Sequence, residues 1–257
     1  MRKFLLTCLI TCLVVIPTSA QEITIAAAAD LNAALTEIVR QYSATPNVSV
    51  KLSFGASGNL FNQIRNGAPF DIFFSADEDY PKQLIEQGLA EKNTLYRYAV
   101  GRLVLWVPTD SPVDIDHKGL QSLNDPYFKK IAIANPQHAP YGRAAVAALR
   151  TAGVYDQISD RLVLGENVSQ AAQFVESGNA QAGLVALSHA LAPAMKGKGR
   201  YWEVPLNLYP TLNQAAVILS HSQNKAAAMR FLEYLNTAPA QSVLKNYGFS
   251  HPSERKQ

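Results

Sequence analysis

Short apolar runs alternate with amphipathic stretches along the chain, the pattern of an α/β protein. EITIAAAA (22–29) predicts a strand. After it Leu31, Ala34, Leu35, Ile38, Val39 and Tyr42 keep the i, i+3, i+4, i+7 spacing of one buried helix face. VSVKLSF (48–54) predicts a second strand, followed by a helix from about Asn59 that Gly67 stops. FDIFFSA (70–76) is apolar without alternation, as a strand covered on both faces must be. A helix through Pro81, Leu84 and Ile85 runs from it to Gly88, and YAVGRLVLWVP (98–108) reads as one long strand. The unit then repeats as KKIAIANP (129–136), a helix over 143–150, DRLVLG (160–165), a helix from about Ser169, and AGLVAL (182–187). YWEVP (201–205) and QAAVILS (214–220) lead into two helices, 225–236 and 238–245. Two α/β sets flank the long strand, which predicts two lobes with the chain passing between them.

The ends and the charge narrow the setting. Arg2 and Lys3 precede an apolar stretch, 4–16, that is shorter than the roughly 20 residues a spanning helix needs. Pro17, Thr18, Ser19 and Ala20 then form a small-residue cleavage site, so 1–20 reads as a secretory signal peptide cut after Ala20. Both cysteines, Cys8 and Cys12, lie inside it, and the exported chain is expected to carry no thiol or disulfide. The whole chain has 23 basic and 20 acidic residues, a net charge of +3, and loss of Arg2 and Lys3 leaves +1. That balance offers no electrostatic footprint for nucleic acid or an anionic membrane.

Four turns share one design, in which a strand ends, small or hydroxyl residues follow and a helix starts. They are AAAADL (26–31), FGASGN (54–59), NPQHAPYG (135–142) and GENVSQ (165–170). Ligands of open parallel sheets bind at such carboxyl edges, and a helix N-terminus with its unsatisfied N–H groups is a ready anion site. Gly55 and Gly58 let the backbone approach a guest, and Ser57 can cap its helix or donate its hydroxyl. Enzymatic motifs fare worse: GASGN lacks the last glycine of G-x-S-x-G, and no P-loop or G-x-G-x-x-G is present. His117, His138, His189, His221 and His251 are scattered without metal-ligand spacing, and Asp77, Glu78 and Asp79 read as the acidic first turn of a helix. Asp30 has two readings. It caps the first helix by accepting from Asn32 or Ala33, or its carboxylate faces the site.

The chain resembles the periplasmic molybdate-binding proteins of ABC importers. The resemblance rests on FGASGNLFNQIRNGAPFDIFFSADE (54–78), RLVLWVP (102–108), IAIANPQHAPYGRAAVAAL (131–149), GENVSQA (165–171), GLVAL (183–187) and LKNYGF (244–249). It implies the two-lobed periplasmic binding protein fold of type II, each lobe a mostly parallel sheet flanked by helices, closing on a tetrahedral oxyanion in the cleft. The expected lobes are 21–100 with 206–257, and 101–205. The implied ligand is molybdate, with tungstate, and the implied partners are an ABC permease and its cytoplasmic ATPase. No cofactor, a monomeric state and a periplasmic location complete the expectation. Carried over by position, the oxyanion-binding residues are Ser57 with the backbone of Gly58, the backbone at Tyr141, and the backbone at Val168. The first turn, usually Ser, Thr or Asn in the family, here reads Ala29–Asp30. A tyrosine that some members carry after GLV is Ala186 here, and the Tyr141 hydroxyl is expected to stand in for it. Rival readings are another oxyanion (sulfate, phosphate or vanadate), a serine hydrolase using Ser57, and a ferric-ion receptor, which would want clustered phenolates and carboxylates.

Overall fold

The computed structural model describes residues 21–43 and 48–252; the expected leader, 1–20, lies outside them. In chain order the first elements are β1 (Gln21–Ala28), α1 (Asn32–Tyr42), β2 (Val48–Gly55), α2 (Ser57–Arg65), β3 (Ile72–Ser75), α3 (Asp79–Glu86) and β4 (Tyr96–Gly101). There follow β5 (Leu103–Pro108), α4 (Ile115–Lys118), β6 (Ile131–Ala134), α5 (Pro140–Thr151), α6 (Tyr155–Ile158), β7 (Leu162–Gly165) and α7 (Val168–Glu176). The last are β8 (Ala182–Ala186), α8 (Leu187–Leu191), β9 (Gly199–Glu203), β10 (Leu212–Ile218), α9 (Lys225–Tyr234) and α10 (Ala238–Asn246).

The strands form two sheets, β2-β1-β3-β10-β4 and β7-β6-β8-β5-β9. The long apolar stretch 98–108 is not one strand. It breaks at Arg102 into β4 and β5, which belong to different sheets, so the chain changes lobe there and returns between β9 and β10. Periodicity cannot register that break, because both halves are buried and equally apolar. Each sheet is also mixed rather than mostly parallel. In the first, β1 pairs in parallel with β2 and β3, whereas β10 runs antiparallel to β3 and β4. In the second, β6 pairs in parallel with β7 and β8, and β5 is antiparallel to β8 and β9. The parallel part of each sheet comes from strand–helix–strand units, and the antiparallel part from the strands that carry the chain between lobes.

Alternation along β1 explains its burial on both faces. Ile23, Ile25 and Ala27 pack with Leu35, Ile38 and Phe231 of α1 and α9, and Ala26 packs on the other face with Phe61 and Phe73. The second lobe has its own core around Trp106, Phe128, Ile133 and Leu184. That cluster also takes in Ala28, Ala29, Ala56 and Ala76 from the first lobe. The alanine run of the opening strand is thus where the lobes touch, and methyl side chains let two backbones approach.

Candidate functional site

The four turns singled out above converge. A small cavity of ≈ 10 Å³ lies between the lobes. From the first lobe Ala28 to Asp30, Gly55 to Ser57 and Ala76 line it; from the second, Ala139 to Tyr141, Asn167 and Val168. No lysine, arginine or histidine is in the lining, and Asp30 is its one carboxylate.

The start of α2 shows how the site is built. Ala56, extended at φ −67° and ψ 137°, is the N-cap, so Ser57 is the first helical residue rather than the cap. The helix begins two residues before the expected Asn59. Ser57 is 1% exposed, and its Oγ accepts the Ala76 N–H at 3.0 Å. With its lone pair held, the hydroxyl hydrogen is free to be donated into the cavity. The Gly58 N–H, expected to serve a ligand, instead donates to the His138 carbonyl of the other lobe at 2.8 Å, and Gly58 is absent from the lining. A Cβ there would lie 2.8 Å from that carbonyl oxygen, so glycine permits the approach.

In the second lobe α5 starts with Pro140, which has no N–H to leave unpaired, and Tyr141 follows. Asn167 caps α7 by accepting the Gln170 N–H at 3.1 Å, which leaves Val168 as its first residue. Helix geometry leaves the first-turn N–H groups of α2, α5 and α7 without intrahelical partners, and each start carries partial positive charge.

Asp30 does neither thing expected of a cap. Neither the 3₁₀ turn Ala29–Leu31 nor α1 has a side-chain cap, and the carboxylate turns inward. Its Oδ2 accepts from Gln214 Nε2 at 2.5 Å, while Oδ1 is buried without a hydrogen-bond partner among the described residues. Gln214, on β10, is held by Tyr98, whose hydroxyl donates to Gln214 Oε1 at 2.8 Å. The Tyr141 hydroxyl lies 3.4 Å from Gln214 Nε2, so it joins this cluster at the lobe junction instead of standing free in the cavity. Burial pushes the Asp30 carboxyl up to about 6, against the dipoles of the Gln214 amide and the Tyr141 hydroxyl. Burial likewise holds the Tyr98 and Tyr141 phenols well above their usual range, with the Asp30 charge adding to it.

Further contacts join the lobes around the cavity. Ser188 Oγ donates to the Asp30 carbonyl at 2.7 Å, and Ser169 Oγ donates to the Ala29 carbonyl at 3.1 Å. His189 Nε2 lies 2.7 Å from Ser169 Oγ. Because Ser169 gives its proton to Ala29, His189 must donate from Nε2, which leaves the buried Nδ1 as an unpartnered acceptor. Burial pushes His189 down to about 4. Arg143 reaches across to Asp77 at 2.6 Å and stacks its guanidinium 5.5 Å from the Tyr80 ring centroid. Asp77 also accepts the Tyr80 N–H at 3.2 Å from outside the helix: of the three acids expected in the first turn only Asp79 is there, and the N-cap Glu78 makes no side-chain cap.

The structure therefore brings Ala29, Asp30, Ser57, Tyr141 and Val168 to one cavity and sets Gly58 beside it. Sequence reasoning missed Gln214, Asn167 and Ser188. A glutamine inside the apolar strand LNQAAVI was a signal, since a buried amide must find partners.

A two-lobed α/β molecule closed over a small cavity at the starts of its helices is the construction of a solute-binding protein. The chain belongs to the bacterial extracellular solute-binding protein family, whose model matches residues 23–250. It is 38% identical over 234 residues to the molybdate-binding protein ModA of Rhodobacter capsulatus, covering 91% of this chain and 90% of that protein. The molybdate-binding protein ModA of Azotobacter vinelandii is 39% identical over 230 residues, with 90% of each chain covered. The solved structure of an Azotobacter vinelandii periplasmic molybdate-binding protein matches with a TM-score of 0.84 at 34% identity, covering 90% of this chain and 99% of that one. The chain is a binding protein and not an enzyme.

Proposed function

We propose that this chain captures molybdate, and tungstate with it, in the periplasm and hands it to an ABC permease driven by a cytoplasmic ATPase. The observation that carries the reading is a cavity lined by helix starts from both lobes with no cationic side chain. Hydrogen bonds to a charged group contribute roughly 1.5–3 kcal/mol each, and a helix start about 0.3–1 kcal/mol. Several converging from two lobes hold a dianion without a counter-ion, and opening the lobes releases it. Ser57 donates its hydroxyl, and the N–H groups at Ser57 of α2, Tyr141 of α5 and Val168 of α7 donate from the backbone, with the turn at Ala29 and Asp30 closing the cage. The cavity is about the size of one water, so a compact inorganic ion enters with little separation of the lobes, and a sugar or amino acid does not. The moving bodies are the two lobes, which exchange the chain at Arg102 and again between β9 and β10. Similarity to molybdate-binding proteins over nine-tenths of the chain supports the choice of element.

Calorimetric titration with molybdate, tungstate, sulfate and phosphate tests this. Molybdate and tungstate should bind at micromolar concentration or below and sulfate much more weakly. Absence of molybdate and tungstate binding at that level overturns the reading. Stimulation of ATP hydrolysis by the loaded protein, added to its reconstituted permease, tests delivery.

A further inference from the structure

Asp30 is an odd neighbour for a doubly charged anion. It lines the cavity, it is 2% exposed, and its Oδ1 has no hydrogen-bond partner among the described residues. An ionised carboxylate there would repel the guest and present only acceptors to it. We propose that the Asp30 carboxyl takes up one proton from solvent as the oxyanion enters, so that the neutral acid donates an O–H to the anion and affinity rises as pH falls. This rests on the oxyanion reading above. The balance is simple: the carboxylate, a solvent proton and the dianion give the carboxylic acid hydrogen-bonded to the dianion, with no bond to the metal centre changed.

The surroundings leave Asp30 as the group to do this. Gln214 of β10 is neutral, and Tyr98 of β4 and Tyr141 of α5 are phenols held well above their usual range. From α7 and α8, Ser169 and Ser188 donate their hydroxyl protons to backbone carbonyls of this turn, and His189, bonded to Ser169, is held neutral by burial down to about pH 4. The other charged or titratable groups at the lobe junction are the Arg143–Asp77 ion pair, Glu166, which accepts from Asn59, and His138, and none of them lines the cavity. The free carboxyl sits at about 6. A dianion beside it raises that value further, so binding draws in about nine-tenths of a proton at pH 7 and about one-tenth at pH 5. Above pH 6 the affinity then falls by up to about tenfold per pH unit.

Calorimetric titration of molybdate from pH 5 to 8, in buffers of different ionisation heat, counts these protons directly. The parent should show the uptake and slope given above. Asp30→Asn should bind with no uptake and a flat profile, and Asp30→Ser serves if the amide variant does not fold. His138→Gln, which removes a titratable ring from the turn before α5 and keeps the backbone carbonyl that Gly58 meets, should behave as the parent. Molybdate binding by the parent with less than about two-tenths of a proton taken up at pH 7 overturns the inference and leaves the oxyanion reading standing. So does uptake that persists in both Asp30 variants or vanishes in His138→Gln. Failure of the parent to bind molybdate or tungstate at any pH overturns the proposed function itself.

Discussion

Gly58→Ala should separate closure of the lobes from folding of the chain. The added Cβ would sit 2.8 Å from the His138 carbonyl oxygen and 2.6 Å from the Tyr80 hydroxyl. The tyrosine tip can swing aside, but the carbonyl is backbone of the opposite lobe, and it is the acceptor of the Gly58 N–H at 2.8 Å. Forcing them apart loses a hydrogen bond, about 0.5–1.5 kcal/mol net, and adds overpacking of about 1–3 kcal/mol. The closed state should therefore lose about 2–4 kcal/mol, roughly a 30- to 700-fold rise in the molybdate Kd. Folding of the first lobe feels the opposite sign, because alanine is favoured over glycine in a helix by about 1 kcal/mol and α2 holds this position. Calorimetry gives the Kd, and thermal melting without ligand gives the stability. An unchanged Kd together with a clearly lower Tm would place the collision within the first lobe and rule out a cross-lobe role for Gly58.

Three more outcomes can be measured. Ser57→Ala removes a donor to the anion and strands the Ala76 N–H, so the molybdate Kd should rise about 10- to 100-fold and the ligand-free Tm should fall by about 2–10 °C. Arg143→Ala breaks a cross-lobe pair between a half-exposed guanidinium and the mostly buried Asp77; burial holds that carboxyl above its usual range despite the guanidinium. Affinity should fall only about two- to five-fold, less at high salt, and a larger loss in 0.5 M salt would count against a simple ion pair. Asp30 is held at about 6 against an ordinary 3.8, so the folded protein binds more protons than the unfolded between those values, and its stability falls as pH rises through them. Asp30→Asn should be more stable than the parent at pH 7 by about 1–3 kcal/mol and not at pH 3.5, by urea melts at both. His189, pushed down from 6.5 to about 4, works the other way and loses stability as pH falls through that interval. The parent profile there should be shallow and that of Asp30→Asn steep.

Much of the fold was legible because it is written in short-range pattern. The face of α1 at Leu35 and Ile38, the strand at Ile25, and the Gly67 and Gly88 stops each depend on neighbours within a turn or two. The short helices α4, α6 and α8 escaped detection, since four or five residues carry too little period to read. The break at Arg102 escaped because an apolar stretch says that it is buried, not in which sheet.

The site divides along the same line. Strand–small residue–helix order marked all four turns, and that local order is enough to put helix starts with unpaired N–H groups at sheet edges. What those groups and side chains finally meet was decided by the tertiary structure alone. Asp30 looked like a cap to its own helix, yet its partner Gln214 stands 184 residues away, and Ser188, bonded to its carbonyl, 158 away. Gly58 looked like a ligand donor until the His138 carbonyl came across the cleft to take its N–H. A cap is a local bond, but a carboxylate pulled from water takes the partner that folding brings, and no local pattern encodes which lobe supplies it.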